Sequence, residues 1–556
     1  MNSLGLARDG AHGQRTLTER NLPDKRLNPL HVKIKFSNNA KKRLALVSLD
    51  WIRPKDPLTN LGHASILATL QKYNSNQLTF LNDHRYSVKY CPDVEEFSEN
   101  VVKNLIYDEP DLIAFGVYIW NELHTQLILK KLRKRIKERD YISIGFSGKG
   151  RGEGRIMIDY LRKPLILLGG PQISYAPINT LEGHYPDADL FIRGYAEKAV
   201  SKVVETLSTH VTSSGNMTSS YQFATHQQCF LRPISTTSSN ISNPTMLLHK
   251  IKGLHQRGHP DLGIQAAVDM ESLPSPFLPV ETLENASSLD NNVSQSKLVN
   301  SPIIPLSNRS FIRWETQRGC PFKCTFCQHR DTYTNRQALS PPRTLSEIQE
   351  ITSSPVNDIA VLDPTFNSGP NYLSTLDNLI KYKYKGKLSL QTRFEMIKPQ
   401  FIEKCSVLVN ELKANLQLEF GVQSIIKKES LVIQRMNNLN SVKENSSLLR
   451  KNNIKFEISL IYGLPHQTVE SFKESIEFAK TLGAEKVVAW PLMLLRGTEL
   501  ERRKEELGLK EETLSSVDLD SELPKERISE GIPHVVESPT FTKGEWREMM
   551  RIANEL

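Results

Sequence analysis

Cysteine is scarce in this chain of 556 residues: there are six thiols, with no regular spacing along its length. That excludes the disulfide framework on which small secreted domains rely. No apolar run reaches the roughly eighteen residues of a membrane-spanning helix, so no membrane span is expected. The opening "MNSLGLARDGAHGQRTL" lacks an apolar core of signal-peptide length, which argues against secretion. Residues 1–41 read as a basic tail, and a reducing cytoplasm is the expected compartment. Charge is only mildly one-sided, at a formal +9. The densest basic cluster, "LKKLRKRIKERD" (129–140), reads as the solvated face of a helix. No recognisable nucleic-acid-reading module accompanies it, so nucleic acid is not an expected partner.

What is present is the composition of a folded protein, 38% hydrophobic and 24% charged. The length implies two or three domains. From residue 42 to 207 short apolar runs alternate with helical periodicity: "RLALVSL", "LTFLN", "DLIAFGVYIW", "PLILLGGP" and "DLFIRG" as strands, with "LGHASILATLQKY" and "NELHTQLILKKLRKRIKER" as helices. Such alternation predicts a doubly wound parallel sheet, Rossmann-like, covered on both faces. Ligands of such sheets sit beyond the carboxyl ends of the strands, where Gly116, Gly169, Gly170 and Gly194 mark a candidate rim. Residues 208–304 are rich in Ser, Thr and Asn and read as a linker or insertion, with a small ordered piece around "TMLLHKIKGL". A second alternating block covers 305–510, with strands expected at "FIRWET", "DIAVLD", "KLSLQTRF", "LQLEFGVQ", "KFEISLIYG" and "EKVVAWPLML". Six units suit a partial (β/α)6 barrel, whose active residues lie at strand carboxyl ends. Residues 511–556 form a C-terminal extension.

Half of the thiols fall within eight residues of "ETQRGCPFKCTFCQHR" (315–330), as Cys320, Cys324 and Cys327, just after the first strand of the second block. Polar Lys323, Thr325, Gln328 and His329 interleave them and leave no apolar face for packing. A disulfide would use two and strand the third. Zinc held by the three thiolates and His329 competes, although structural zinc usually draws on two separated knuckles. A four-iron cluster normally takes four thiolates, so three close cysteines would leave one iron open to chemistry.

C-x-x-x-C-x-x-C with Phe326 before the last cysteine resembles the signature of the radical S-adenosylmethionine (SAM) superfamily. The resemblance implies that Cys320, Cys324 and Cys327 hold a [4Fe–4S] cluster whose open iron binds SAM. The reduced cluster then cleaves SAM to a 5′-deoxyadenosyl radical, and Phe326 shields the cluster or packs near the adenine. "VLDPTFN" (361–367) stands where the family receives the SAM amino group. The glycine-glycine-glutamate form is absent there, leaving Asp363, Thr365 and Asn367 as candidates. "EFGVQS" followed by "LVIQRMNN" resembles the segment that meets SAM, contributing Gln423, Ser424 and Arg435, the last for its carboxylate. "FEISLIYGLPHQT" resembles the coproporphyrinogen-oxidase-like branch. It carries Ser459 where that branch often has a ribose-binding Asp, with Glu457 two residues earlier on the same strand face.

The first block resembles the cobalamin-binding domain that precedes the radical core in one large subgroup, through "DLIAFGVYIWN", "LLGGPQIS" and "DLFIRGYAEKA". The resemblance implies cobalamin contacts from Gly116, Tyr118, Gly169, Gly170 and Gly194. The D-x-H-x-x-G string that supplies a lower cobalt ligand is missing, and His63 and His84 lack its context. Cobalamin is therefore expected base-off, without a protein histidine. "ESLPSPFLP" (271–279) resembles the bridge into the core, and "PHVVESPTFTKGEWREMM" its C-terminal tail. The function implied is a cobalamin-dependent methyltransferase acting on an unactivated carbon, served by an electron donor such as flavodoxin or ferredoxin. Rearrangement, cyclisation or oxidation by the same radical is the nearest rival. Methylthio transfer would want a second set of cluster cysteines, and Cys91, Cys229 and Cys405 are too scattered to supply one. A zinc-held, basic nucleic-acid-binding protein is the rival of another class. The substrate, a small molecule or peptide, is not legible.

Overall fold

The computed structural model describes residues 31–33, 42–52, 56, 59–88, 94–138, 143–147, 155–159, 163–209, 218–222, 232–233, 244–265, 269–279, 301–330, 336–513 and 532–556. Cys91, Cys229 and most of 1–41 and 208–304 lie outside them. The chain divides into two compact units. The smaller contributes short antiparallel pairings among His31–Lys33, Thr218–Gln222 and Arg232–Pro233, and between Ser143–Ser147 and Arg155–Asp159. The larger holds both principal sheets.

The first sheet is built from β1 (Lys42–Asp50), β2 (Leu78–Ser87), β3 (Leu112–Gly116), β4 (Leu165–Gly169), β5 (Leu190–Ile192) and β6 (Leu254–Gln256), in the order β6-β5-β4-β3-β1-β2. All pairs are parallel except the edge strand β6, which comes from the Ser/Asn-rich stretch and runs antiparallel to β5. The central strands read as continuous apolar runs because helices bury both faces. In β1, Leu44 to Leu49 are all buried. On one face lie α1 (Leu61–Asn74), N-capped by Asn60, and α4 (Glu197–Thr209); on the other lie α2 (Val94–Tyr107) and α3 (Glu122–Glu138). Three residues of the basic run on α3 form ion pairs: Lys131 with Glu95 at 2.6 Å, Arg133 with Asp189 and Arg135 with Glu99, each at 2.5 Å. The strand order reverses between β1 and β3, which puts the ligand crevice of such a sheet beyond Asp50 and Gly116.

The second sheet is six parallel strands in sequential order: β7 (Phe311–Trp314), β8 (Asp358–Val361), β9 (Lys387–Thr392), β10 (Asn415–Gln423), β11 (Phe456–Tyr462) and β12 (Lys486–Pro491). These match the six expected strands, and with the first sheet they make the α/β architecture read from the sequence. Burial alternates strictly along β11, because Phe456, Ile458, Leu460 and Tyr462 pack on the helical layer while Glu457, Ser459 and Ile461 face inward. The outer layer includes α5 (Pro341–Thr352), started by Ser340 as N-cap with Pro at the first turn. It also includes α6 (Tyr372–Lys381), α7 (Pro399–Ser406), α8 (Leu439–Lys451) and α9 (Val469–Thr481), the last opened by a reciprocal Thr468–Ser471 capping box. Beyond the barrel, α10 (Lys543–Asn554) buries Trp546, Met549 and Met550 against it. Among the described residues no helix is long and apolar enough to cross a membrane.

Candidate active site at the carboxyl end of the barrel

The cysteine loop leaves β7 under tight control. Asp363, just beyond β8, accepts hydrogen bonds from the backbone N–H groups of Thr316 (2.7 Å) and Gln317 (3.0 Å) and from the Thr316 hydroxyl (2.5 Å). Burial pushes its carboxyl up to about 7, against the pull of those bonds. Gly319 then turns with φ +83°, and a Cβ there would meet the Arg336 Cα at 3.3 Å. Thr325, between the second and third cysteines, donates its N–H to Ile433 O (3.0 Å) and accepts from Leu500 N (2.9 Å). The loop is thereby tied to the far side of the barrel.

Cys320, Cys324 and Cys327 line one cavity of about 240 Å³ with Phe322, Phe326, His329, Pro364, Thr365, Gln391, Thr392, Arg393, Glu419, Gly421, Gln423, Arg435 and Ser459. Cys324 is buried, while Cys320 and Cys327 are half-buried. Burial raises the Cys327 thiol to about 11, so it gives up a proton when it takes a metal. Cys320 Sγ lies 3.7 Å from Thr365 Oγ1, and Arg435 Nη1 lies 3.7 Å from Cys324 Sγ. Arg435 is oriented by Gly421 O, which accepts from its Nε at 2.8 Å and from Nη2. The register of β10 and β11 shifts between Gly421 and Gln423, and Gln423 takes φ +69°. Such a bulge re-aims a side chain, here toward the cavity. Among the described residues no three His, Cys, Asp or Glu side chains converge on one point as a single metal ion requires. The three thiols share the wall of one cavity, and a donor set of three thiolates is one that a [4Fe–4S] cluster with an open iron would take.

Of the residues expected around SAM, Phe326, Thr365, Gln423, Arg435 and Ser459 reach the cavity; Asp363, Asn367, Ser424 and Glu457 do not line it. Asn367 clamps the Arg393 backbone, donating to its O (2.9 Å) and accepting from its N (3.0 Å). The Ser424 hydroxyl donates to the buried Glu429 carboxylate at 2.6 Å, and Glu457 accepts from Gln417 at 3.2 Å. These four brace the walls. Sequence reading missed Phe322, Gln391, Arg393 and Glu419. Arg393 stacks 3.8 Å over the Phe322 ring and brings a cation to the rim. Burial, reinforced by Glu457 beside it, raises the Glu419 carboxyl above its usual range. Gln391, Glu419 and Glu457 stand in register across three strands, so alternation along β9 and β10 was the signal available.

In the first sheet Gly116 and Tyr118 stand at the strand-order reversal, with Gly169–Gly170 and Gly194 beyond the neighbouring strands. Tyr118 stacks on Trp120 at 4.5 Å, and the Trp120 Nε1 is buried with no hydrogen-bond partner. That donor and the glycine-edged loops suit a polar ligand approaching the backbone. Gly170 is required by the turn itself, since φ is +94° and a Cβ would sit 2.7 Å from Val117 O. His63 Nε2 is held by Asp83 and His84 Nε2 by Asp108, each at 2.7 Å. Both imidazoles are engaged by carboxylates, His63 in the first turn of α1.

Residues 314–479 match the Radical SAM superfamily. The chain is 23% identical over 398 residues to the cobalamin-dependent radical SAM methyltransferase TokK of Streptomyces tokunonensis, covering 71% of this chain and 47% of the relative. It is 25% identical over 189 residues to an anaerobic magnesium-protoporphyrin IX monomethyl ester cyclase of Rubrivivax gelatinosus, covering 32% of each. The chain thus spans about half or less of the curated relatives it matches. Among solved structures, the radical SAM methyltransferase TsrM of Kitasatospora setae, with cobalamin and a [4Fe–4S] cluster bound, superposes with a TM-score of 0.55 at 13% identity, over 86% of this chain and 81% of that one. OxsB, a cobalamin-dependent SAM radical enzyme with aqua-cobalamin and SAM bound, gives 0.57 at 14%, over 92% and 66%. These structures share the fold of the two sheets.

Proposed function

We propose that this chain, whose residues 314–479 are a radical SAM domain, is an enzyme that cleaves SAM at a [4Fe–4S] cluster and uses cobalamin to methylate an unactivated carbon. The observation that carries the reading is the wall of three thiols around one cavity, with the Arg435 guanidinium beside Cys324. The remaining described cysteine, Cys405, is buried among helices. When bound, the cluster supplies the electron that breaks SAM into methionine and a 5′-deoxyadenosyl radical, and cobalamin supplies a methyl carrier. Cys320, Cys324 and Cys327 hold the cluster. Arg435 pairs with the SAM carboxylate, and Gln423, Ser459 and Thr365 offer hydrogen bonds to its polar groups. Phe326 and the Arg393–Phe322 stack exclude water from the reacting end. Gly116, Tyr118, Gly169, Gly170 and Gly194 edge the cobalamin site, and base-off binding is supported by the missing D-x-H-x-x-G string.

A low-potential donor such as flavodoxin or ferredoxin serves the cluster in a reducing cytoplasm, and no nucleic acid is required. A second reading, in which the radical closes a ring or oxidises the substrate, draws support from the likeness to the cyclase. Anaerobic reconstitution with iron, sulfide and hydroxocobalamin, followed by metal analysis and visible absorption, tests both cofactors. About four irons per chain with retained corrinoid is expected for a cluster with one open iron. A colourless protein holding one zinc would overturn the proposal in favour of a zinc-held binding protein. Transfer of label from isotopically methyl-labelled SAM to product separates methylation from ring closure.

A further inference from the structure

Two polar bridges leave the ends of the cysteine loop and land on the carboxyl ends of the first sheet. Arg318, two residues before Cys320, donates to Glu197 at 2.8 Å and to Glu315 at 2.9 Å, with its guanidinium 4.4 Å over the Tyr195 ring. Glu197 opens α4 just beyond Gly194 and also accepts from Ser65 on α1 at 3.1 Å. Arg318 and Glu197 are 9% and 5% exposed, so removing either one strands a buried charge. Burial pushes Glu197 up, but the Arg318 charge outweighs it and holds the carboxyl below its ordinary value.

The second bridge starts at Gln328, next to Cys327. Its carbonyl accepts from Tyr175 Oη (3.1 Å), and its Nε2 donates to Arg496 O (2.9 Å). The Arg496 guanidinium spans to Gln172 O (2.9 Å) and to both oxygens of Glu122 (3.0 and 3.2 Å). Glu122 is further fixed by Tyr185 Oη at 2.6 Å and Gln172 Nε2 at 2.5 Å. Gln172 sits just past the Gly169–Gly170 turn, and Glu122 just past Tyr118 and Trp120.

We propose that Arg318–Glu197 and Arg496–Glu122 are positioning pairs that couple what the first sheet's strand-end loops bind to how Cys320 and Cys327 are seated. This rests on the cluster and corrinoid reading above. Because both ends of an eight-residue ligand loop are anchored on those strand-end loops, shifting the loops shifts the thiols. Linkage makes the effect reciprocal.

The test uses the full chain, with hydroxocobalamin affinity measured in apo and cluster-loaded protein and amide exchange followed over residues 315–330. Loading the cluster is expected to change wild-type hydroxocobalamin affinity by about five-fold or more, the lower end of ordinary site-to-site coupling. Glu122→Gln and Glu197→Gln should keep wild-type iron content yet bring that ratio within about two-fold of unity. Arg496→Lys should restore part of the coupling that Arg496→Gln loses, which also guards against a variant that merely fails to fold. Glu548→Gln, which loosens the exposed Lys473–Glu548 pair on the barrel surface, should leave the ratio as in wild type. Variants that keep full coupling and wild-type exchange overturn the proposal. A wild-type chain that takes up neither iron nor corrinoid overturns the functional reading instead. Exchange in the apo protein then still decides whether Glu122 seats the loop: Glu122→Gln speeds exchange over 325–330 if it does, and unchanged exchange ends the idea.

Discussion

The two parallel sheets offer their strand ends in different ways. The central strands of the first are buried on both faces, so there a ligand is met by the loops beyond Gly116, Gly169 and Ile192 rather than by side chains within the strands. The second is bent, with one face turned inward, and residues within its strands (Gln391, Glu419, Gly421, Ser459) reach the cavity directly. A sheet sandwiched by helices binds with loops and backbone. A bent sheet also offers its interior, and there Gln391, Glu419, Gln423 and Arg435 gather around one cavity.

The sharpest break of that comparison is Cys324→Ala. It should abolish both iron retention and SAM cleavage while hydroxocobalamin still binds the first sheet; metal analysis and detection of 5′-deoxyadenosine check this, and wild-type cleavage would end the ligand assignment. Next comes Arg435→Gln, which removes a cation from the barrel cavity without touching a thiol. Loss of charge-assisted hydrogen bonds worth about 1.5–3 kcal/mol weakens SAM binding roughly 10- to 100-fold. Iron content should stay constant, and equilibrium binding of SAM to the reconstituted protein is the readout.

Gly170→Val strikes the other sheet. Forcing a branched residue to φ +94° against Val117 O costs about 1–3 kcal/mol. Corrinoid binding should fall while the iron stays, which chemical denaturation and metal analysis together would register. The smallest effect is one of pH. Asp363 is raised from 3.8 to about 7 in the folded chain, so the folded state holds a proton that the unfolded state has released between those values. That stabilisation is complete below about 4 and is lost as pH rises through about 7. Asp363→Asn should flatten the pH dependence of the melting temperature between these limits; an unchanged slope would mean that the carboxyl is already ionised.

The barrel was legible in the sequence because an alternating strand announces its inward face. "KFEISLIYG" was read at 455–463 and found at Phe456–Tyr462. "DLIAFGVYIW" was read as one strand through Trp120 but stops at Gly116. The cause is Asn121, whose side chain accepts from Tyr118 N at 2.8 Å and donates to Gly116 O and Leu49 O. Apolar periodicity carries no sign of a turn held by one amide. The three-residue edge strand β6 was likewise invisible, since its pairing with β5 is the whole of its definition. In the site, the spacing of the three cysteines singles out their loop, and all three line one cavity. The family resemblance makes Asp363 and Asn367 candidates for SAM, whereas their bonds to Thr316 and to Arg393 depend on which strands become neighbours. Arg393 was missed although it stands one residue past β9, the position from which a barrel presents its working side chains.

The outer strands β7 and β12 do not pair with each other, so the bent sheet resembles a cuff with an open seam. Thr325 is its button: its N–H donates to Ile433, beyond β10, and its carbonyl accepts from Leu500, beyond β12. Gln328 Nε2 on Arg496 O and Thr325 Oγ1 on Val432 O fasten the same mouth, so hydrogen bonds between loops, rather than a strand ladder, close it there. The segment that carries the three cysteines is thus also the clasp that closes the carboxyl end of the sheet.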